Sequence, residues 1–156
     1  MAESAPARVV ADADVLAADL LCGGDARRAL DHVRRHSWVR LVASDRLLDD
    51  AEAIIADQAD SDLAADWRER IERERESVDH PAGDHPALAS AYRGEAAHVL
   101  SYDETLRSAK TGVALNEHMD VSVRTPDAFA ALFDPEALYE LVEGGAYPGP
   151  DRDPRA

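Results

Sequence analysis

Short apolar runs and helix-like apolar spacings alternate along the chain. The apolar runs predict four strands, at Arg8–Ala11, Trp38–Val42, 98–101 and Met119–Val123. Apolar residues recurring every three or four positions predict helices between them. We place these helices after Asp14, from Asp25 to about His36, from Ser44 onward, over 60–78, over Pro86–Arg93, after Asp103, and from Pro126 onward.

The order of these elements predicts the fold class. Alternating strands and helices favour right-handed crossovers, and therefore a parallel sheet covered by helices on both faces. We expect an α/β fold of three layers, α/β/α, with a central parallel sheet in one domain over residues 1–143. The tail after Gly144, GAYPGPDRDPRA, is predicted to be disordered over residues 144–156.

The helix that follows Ser44 has one apolar face, formed by Leu47, Leu48, Ala51, Ile54 and Ile55. At 100° per residue, Asp50 and Glu52 flank the two edges of this face, while Asp49 points away from it. We therefore expect Asp49 to be solvated, and either Asp50 or Glu52 to face a cleft.

The high net negative charge of the chain affects whether a group of acidic residues can be interpreted as a metal site. The chain has 32 Asp and Glu against 17 Lys and Arg, for a net charge of −15, and Lys110 is its one lysine. A basic partner would explain this charge, and so would adaptation to molar salt, in which a short Debye length mutes self-repulsion. Because the acids are spread along the whole chain, we favour salt adaptation, and acidic clusters alone are then weak evidence of metal sites.

Targeting signals and disulfides are not indicated. No run of eighteen apolar residues predicts a membrane span, and the first residues, MAESAPARVV, do not have the order of a signal peptide. A single cysteine, Cys22, cannot form an internal disulfide. We expect a cytoplasmic protein that does not enter a membrane.

Two acidic residues follow predicted strands directly. Asp12 comes after the first strand and Asp103 after 98–101, and ligands of parallel sheets bind beyond the carboxyl ends of the strands. Each of Asp12, Asp14, Asp84 and Asp103 could equally be a helix N-cap. If the two strands are neighbours, however, the repulsion between carboxylates would favour a divalent cation with oxygen ligands.

Four segments in order resemble a PIN-domain nuclease, from about Val9 to Phe133. They are VVADADVL, ASDRLLDDAEAII, DHPALASAYRGEAAHVLSYDETL and VSVRTPDAFAALF. The resemblance implies four acidic site residues: Asp12 in the first segment, Asp50 in the second, and Asp84 and Asp103 in the third. Asp50 stands where the family more often has Glu, so Glu52 remains an alternative, as Asp79 does for Asp84.

The resemblance implies a metal-dependent ribonuclease that hydrolyses RNA phosphodiester bonds with Mg²⁺ or Mn²⁺. Asp12 and Asp103 would hold the cation directly, and Asp84 and Asp50 would complete the shell. Ser101 would position a water or a ligand, or would be a plain strand hydroxyl. The resemblance also allows a homodimer and a small antitoxin-like protein partner.

Two other functions remain open. A catalytically silent PIN-like module would use the same fold to bind RNA or protein. A phosphate-responsive receiver-like domain would need a lysine after a late strand, and Lys110 does not follow an apolar run. The helical segment ARRALDHVRRH, in which Arg27 and Arg34 lie seven apart, would be either a phosphate-contacting ridge or a solvated face.

Overall fold

The computed structural model describes residues 5–107 and 121–155. Five strands are β1 (Ala5–Ala11), β2 (Arg40–Ser44), β3 (Arg75–Val78), β4 (Ala96–Leu100) and β5 (Ser122–Arg124). The helices of the described residues are α1 (Ala13–Leu21), α2 (Gly24–Arg34), α3 (Asp45–Gln58), α4 (Ser61–Glu74), α5 (Pro86–Gly94), α6 (Glu104–Arg107), α7 (Pro126–Leu132) and α8 (Pro135–Val142).

The sheet is parallel throughout and has the strand order β3-β2-β1-β4-β5. Val9 in β1 is in register with Leu41 in β2 on one side and with His98 in β4 on the other. The fold is a three-layer α/β/α arrangement, which confirms the predicted fold class. Within the described residues, no helix is both long enough and apolar enough to cross a membrane.

The central strands are buried almost completely. Val10, Val42 and Val99 are each 0% exposed, as expected for parallel strands that are covered on both faces. The predicted apolar face of α3 is confirmed, since Leu47, Leu48, Ala51 and Ile55 are buried and Ile54 packs against the core.

One strand was missed by the sequence analysis. The predicted helix over 60–78 ends at Glu74, and Arg75–Val78 forms β3 at the edge of the sheet. The segment RESV is charged like the helix before it, so its sequence does not indicate a strand. An edge strand can carry such charged residues, because it does not need two apolar faces. Its pairing with β2, which places Leu41 beside Arg75, determines its conformation.

Smaller differences concern element ends. The helix predicted from Asp25 begins one residue earlier, at Gly24, with Gly23 at φ 72° as its N-cap. Asp25 forms an ion pair with Arg28. The predicted strand Met119–Val123 begins outside the described residues, and the described strand is β5. Helix α8 was not predicted.

The tail over 144–156 was expected to be disordered, but its described residues make specific contacts with the end of α2. The Tyr147 hydroxyl lies 2.6 Å from Nε2 of His36, and Ser37 N–H donates to the Asp151 carboxylate at 2.8 Å. Arg155 donates to both oxygens of Asp31 at 2.8 and 2.9 Å. Local sequence pattern does not reveal these contacts, because the partners lie more than a hundred residues earlier in the sequence.

The Arg155→Gln substitution tests the docking of the tail. Burial raises the pKa of Asp31, but hydrogen bonds from Arg155 and Arg34 outweigh it and hold that pKa below its usual value. Losing Arg155 should release the tail while lowering the free energy of unfolding by no more than about 1 kcal/mol, because Arg155 is half exposed.

Limited proteolysis at neutral pH should therefore cleave the Arg155→Gln tail faster than the tail of the parent. The variant Arg93→Gln, an exposed site on α5, is the matched control. Equal cleavage rates in all three proteins would contradict the proposed role of the Asp31–Arg155 pair.

Candidate functional site

The strand order reverses between β1 and β4. The chain runs from β1 outward to β2 and β3, then returns to the other side of β1 to form β4 and β5. In an open parallel sheet, a ligand binds in the crevice at such a switch point, beyond the carboxyl ends of the strands. Asp12 follows β1 and Ser101 follows β4, so both stand at this crevice.

Asp12 is held in place by the sheet and by the helix after it. Its N–H donates to the carbonyl of Leu100 at 2.8 Å, which extends the pairing of β1 with β4. Its Oδ1 accepts from Ala13 N–H at 2.8 Å, so Asp12 is the N-cap of α1. The buried carboxylate of Asp12 can therefore cap α1 and also face the crevice.

Ser101 links Asp12 to Asp103. The buried hydroxyl of Ser101 donates to Asp12 Oδ2 at 2.8 Å and accepts from the N–H of Asp103 at 3.0 Å. The carboxylate of Asp103 is exposed and its Oδ1 accepts from Thr105 N–H at 2.8 Å. Ser101 therefore fixes the backbone of Asp103 next to Asp12, while the side chain of Asp103 closes the first turn of α6.

A third carboxylate, Asp14, joins these two, and sequence reasoning did not select it for the site. Its Oδ2 accepts from Tyr102 N–H at 3.2 Å, whereas its buried Oδ1 has no hydrogen-bond partner in the described residues. Burial, together with repulsion from Asp12 and Asp103, raises the pKa of Asp14 above its ordinary value. The signal in the sequence was ADADV, which places a second acid in the first turn of α1.

We call Asp12, Asp14 and Asp103 the acidic cluster. Within the described residues, no cationic side chain forms an ion pair with any of its three carboxylates. An all-oxygen donor set of this charge suits Mg²⁺ or Mn²⁺, and an unpaired buried oxygen is unfavourable unless something binds it.

The side chains as they stand do not form a finished cage. Among the described residues, no three His, Cys, Asp or Glu side chains are arranged so that they would hold a metal ion. The acidic cluster therefore fits a cation by its chemistry, and the exposed Asp103 is the carboxylate that would have to turn away from Thr105 to complete the site.

Asp50 and Glu52, the two candidates on α3, differ in their contacts. Glu52 pairs with Arg68 at 3.0 Å, and Asp49 pairs with the same guanidinium at 2.7 Å. Asp50 is exposed, and its carboxylate has no hydrogen bond or ion pair within 5–107 and 121–155. Asp50 is thus the more available of the two, although no contact joins it to the acidic cluster.

Asp84 lies just before α5, whose first turn is at the same edge of the sheet as the acidic cluster. It does not cap the helix, because Nδ1 of His85 accepts from Ala87 N–H at 3.2 Å and takes that role. Asp84 and its alternative Asp79 are both exposed, with no side-chain partner in the part of the chain described here.

The predicted phosphate ridge on α2 is largely occupied by internal contacts. Arg34 bonds to Asp19 and to Asp31, the latter at 3.1 Å, and Arg27 donates to the carbonyl of Asp19 at 2.7 Å. These guanidinium groups join α1 to α2, so they are poorly placed to contact RNA.

Comparison with known proteins gives one match. The sequence model of a family described as a family of unknown function, DUF7384, matches residues 3–155. No curated protein matches the chain, and no solved structure matches it.

The Asp14→Asn substitution tests the repulsion within the acidic cluster. Because the folded pKa of Asp14 is raised, the folded state of the parent loses stability as pH rises from the unfolded pKa, about 3.9, through the folded pKa. Asparagine has nearly the same shape and no charge, so the variant should unfold at higher urea than the parent at about pH 7.

This difference should shrink toward zero at about pH 3, where Asp14 is protonated in both states of the parent. Urea unfolding in EDTA at several pH values measures it, with Asp66→Asn on the exposed side of α4 as the control for a lost charge. A parent more stable than Asp14→Asn at neutral pH would show that the cluster is not electrostatically strained.

Proposed function

We propose a function for this chain, which belongs to the DUF7384 family, described as a family of unknown function: a metal-dependent endoribonuclease. The observation that carries the proposal is the acidic cluster at the β1–β4 switch point. Among residues 5–107 and 121–155, one of its buried carboxylate oxygens has no hydrogen-bond partner, and no cationic side chain forms an ion pair with the cluster. The ordered resemblance to PIN-domain nucleases supports the same chemistry.

The cofactor we propose is Mg²⁺ or Mn²⁺. When bound, the cation would polarise the scissile phosphate and make a neighbouring water more acidic. Asp12 and Asp14 would hold it from the end of β1 and Asp103 from the end of β4. Asp50, on α3, and Asp84, just before α5, would complete the shell.

The side chains of the acidic cluster are held with different rigidity, which suggests different roles in binding the cation. Asp12 is fixed on both oxygens by Ala13 and Ser101, so it would set the position of the cation. Asp103 is exposed and would adjust to the ligand. Ser101 is a positioning residue, because it orients Asp12 and the backbone of Asp103 together.

The substrate we propose is RNA, since the resemblance is to enzymes that cleave RNA and a phosphodiester supplies the oxygens that complete a Mg²⁺ shell. Action on RNA agrees with a cytoplasmic location, which remains part of the proposal. A homodimer and a small antitoxin-like partner also remain predictions.

A second candidate is a catalytically silent PIN-like module that binds RNA or protein. It is favoured by one observation, that no three acidic side chains of the described residues stand ready to hold an ion. Asp50, with a side chain one methylene shorter than Glu, also favours it.

RNA cleavage at high salt with Mn²⁺ distinguishes the two candidates. The substitutions Asp12→Asn and Asp103→Asn should each lower the cleavage rate by about 100-fold or more, because a catalytic cation supplies several kcal/mol. Ser101→Ala should lower it by about 10-fold and raise the Mn²⁺ concentration needed for half-maximal rate. Asp66→Asn should leave both quantities unchanged.

Asp50→Asn and Asp84→Asn, measured in the same assay, report whether these two residues take part. Cleavage insensitive to both Asp12→Asn and Asp103→Asn would eliminate the nuclease proposal. Mn²⁺ binding by the parent without cleavage of any RNA would favour the silent module.

A further inference from the structure

A cleft of about 380 Å³ lies between α2, the C-terminal end of α4, the starts of β2 and β3, and the docked tail. Six arginines line it, against two acidic residues, Glu74 and Asp153. We call it the arginine cleft, and its arginines are Arg34, Arg40, Arg70, Arg73, Arg75 and Arg152. In a chain of net charge −15, such a concentration of positive charge is unexpected.

Two of these arginines are already engaged. Arg34 bonds to Asp19 and Asp31, and Arg75 donates to the carbonyl of Ala43 at 2.9 Å and pairs with Asp45. Their charge contributes to the field in the cleft, but their hydrogen-bond donors are largely used.

The other four keep most of their donors. Arg40 and Arg70 are each 3.7 Å from one carboxylate, a distance beyond a hydrogen bond. Arg152 uses one of its five N–H donors, on the carbonyl of His36 at 3.1 Å. Arg73 is exposed and forms no ion pair within the described ranges. Nearby carboxylates offset the positive charge of these four guanidinium groups only in part, so an anion bound between them would be favourable.

The floor of the arginine cleft is apolar. Leu30, Val33, Val39 and Leu41 line it with buried side chains. Guanidinium groups around an apolar floor suit a ligand with a multiply charged part and an uncharged ring or sugar. A volume of about 380 Å³ is within the range of small-molecule sites.

The docked tail forms one wall of the cleft. Residues 152–154 line it, and they lie between two anchors, Asp151 on Ser37 and Arg155 on Asp31. The contacts of the tail with Ser37 and Asp31 therefore place Arg152 in the wall of the cleft.

The arginine cleft and the acidic cluster are at opposite edges of the sheet. The cleft is lined by Arg40 and Arg75, at the amino ends of β2 and β3, whereas the cluster follows the carboxyl ends of β1 and β4. A phosphate held in the cleft is therefore not presented to the cluster, and the cleft must serve a separate ligand.

We propose that the arginine cleft binds a nucleoside di- or triphosphate, with its phosphates against the four available guanidinium groups and its nucleoside on the apolar floor. Arginine presents paired N–H donors that match phosphate oxygens, and charge-assisted bonds of this kind are among the strongest in proteins. The site is independent of the proposed ribonuclease activity.

Isothermal titration calorimetry with ATP tests this, in EDTA so that no divalent cation connects ATP to the acidic cluster. The parent should bind ATP saturably. The double variant Arg73→Gln/Arg152→Gln should bind about tenfold or more weakly, because two exposed charge-assisted contacts are lost. Both sites are exposed, so the variant should keep the thermal midpoint of the parent to within a few degrees.

Three controls locate the binding. Arg93→Gln removes an equal charge from an exposed site outside the cleft and should bind ATP as the parent does. Asp12→Asn should also bind ATP as the parent does, since the acidic cluster is not involved. Inorganic pyrophosphate should bind more weakly than ATP, because it does not use the apolar floor.

Several results would overturn the proposal. They are no ATP binding at millimolar concentration, equal ATP binding by the parent and the double variant, and equal affinity for pyrophosphate and ATP. A single-stranded RNA that binds more tightly than ATP, and whose binding is lost in the double variant, would assign the cleft to RNA instead of a small nucleotide.

Discussion

The pairing of β1 with β4 is the interaction on which the rest of the site depends. These two strands are far apart in the sequence, and their register brings Ala11 beside Leu100 at the point where strand order reverses. The bond from Asp12 N–H to the Leu100 carbonyl continues this pairing beyond the strands. A shift of one residue would turn Asp12 and Ser101 away from each other, so the register and the acidic cluster are determined together.

Charge is distributed unevenly over the two edges of this sheet. At the carboxyl edge, three carboxylates come together, and burial together with repulsion from Asp12 and Asp103 raises the pKa of Asp14. At the amino edge, arginines from α2, β2, α4 and β3 and from the tail surround a cleft. Repulsion at either place costs folding free energy, and each cost is offset if an ion of opposite sign binds. Both proposals follow from this one physical reason, applied to opposite charges.

The sequence predicts the buried parts of this protein better than its edges. Strands such as β1 and β4 are continuous apolar runs, and α3 has a regular apolar face, so local pattern was sufficient for them. The edge strand Arg75–Val78 has no such pattern, since its conformation depends on its neighbour β2. The position of the docked tail is likewise not evident from local sequence, because Arg155 is held by a residue far away in the chain, Asp31.

For the candidate site, the sequence predicts Asp12, Asp50, Asp84 and Asp103. The structure places Asp14 beside Asp12 and Asp103, because the first turn of α1 directs it toward Tyr102. Whether Asp50 and Asp84 join the cluster depends on side-chain positions that a bound ion would itself set.

The central claim is that the acidic cluster holds a divalent cation. A crystal structure of the protein grown in Mn²⁺, with anomalous diffraction data, tests it most directly. We expect an anomalous peak coordinated by Asp12, Asp14 and Asp103, with Asp103 turned away from Thr105. The absence of a peak there, with the three carboxylates unmoved, would contradict it.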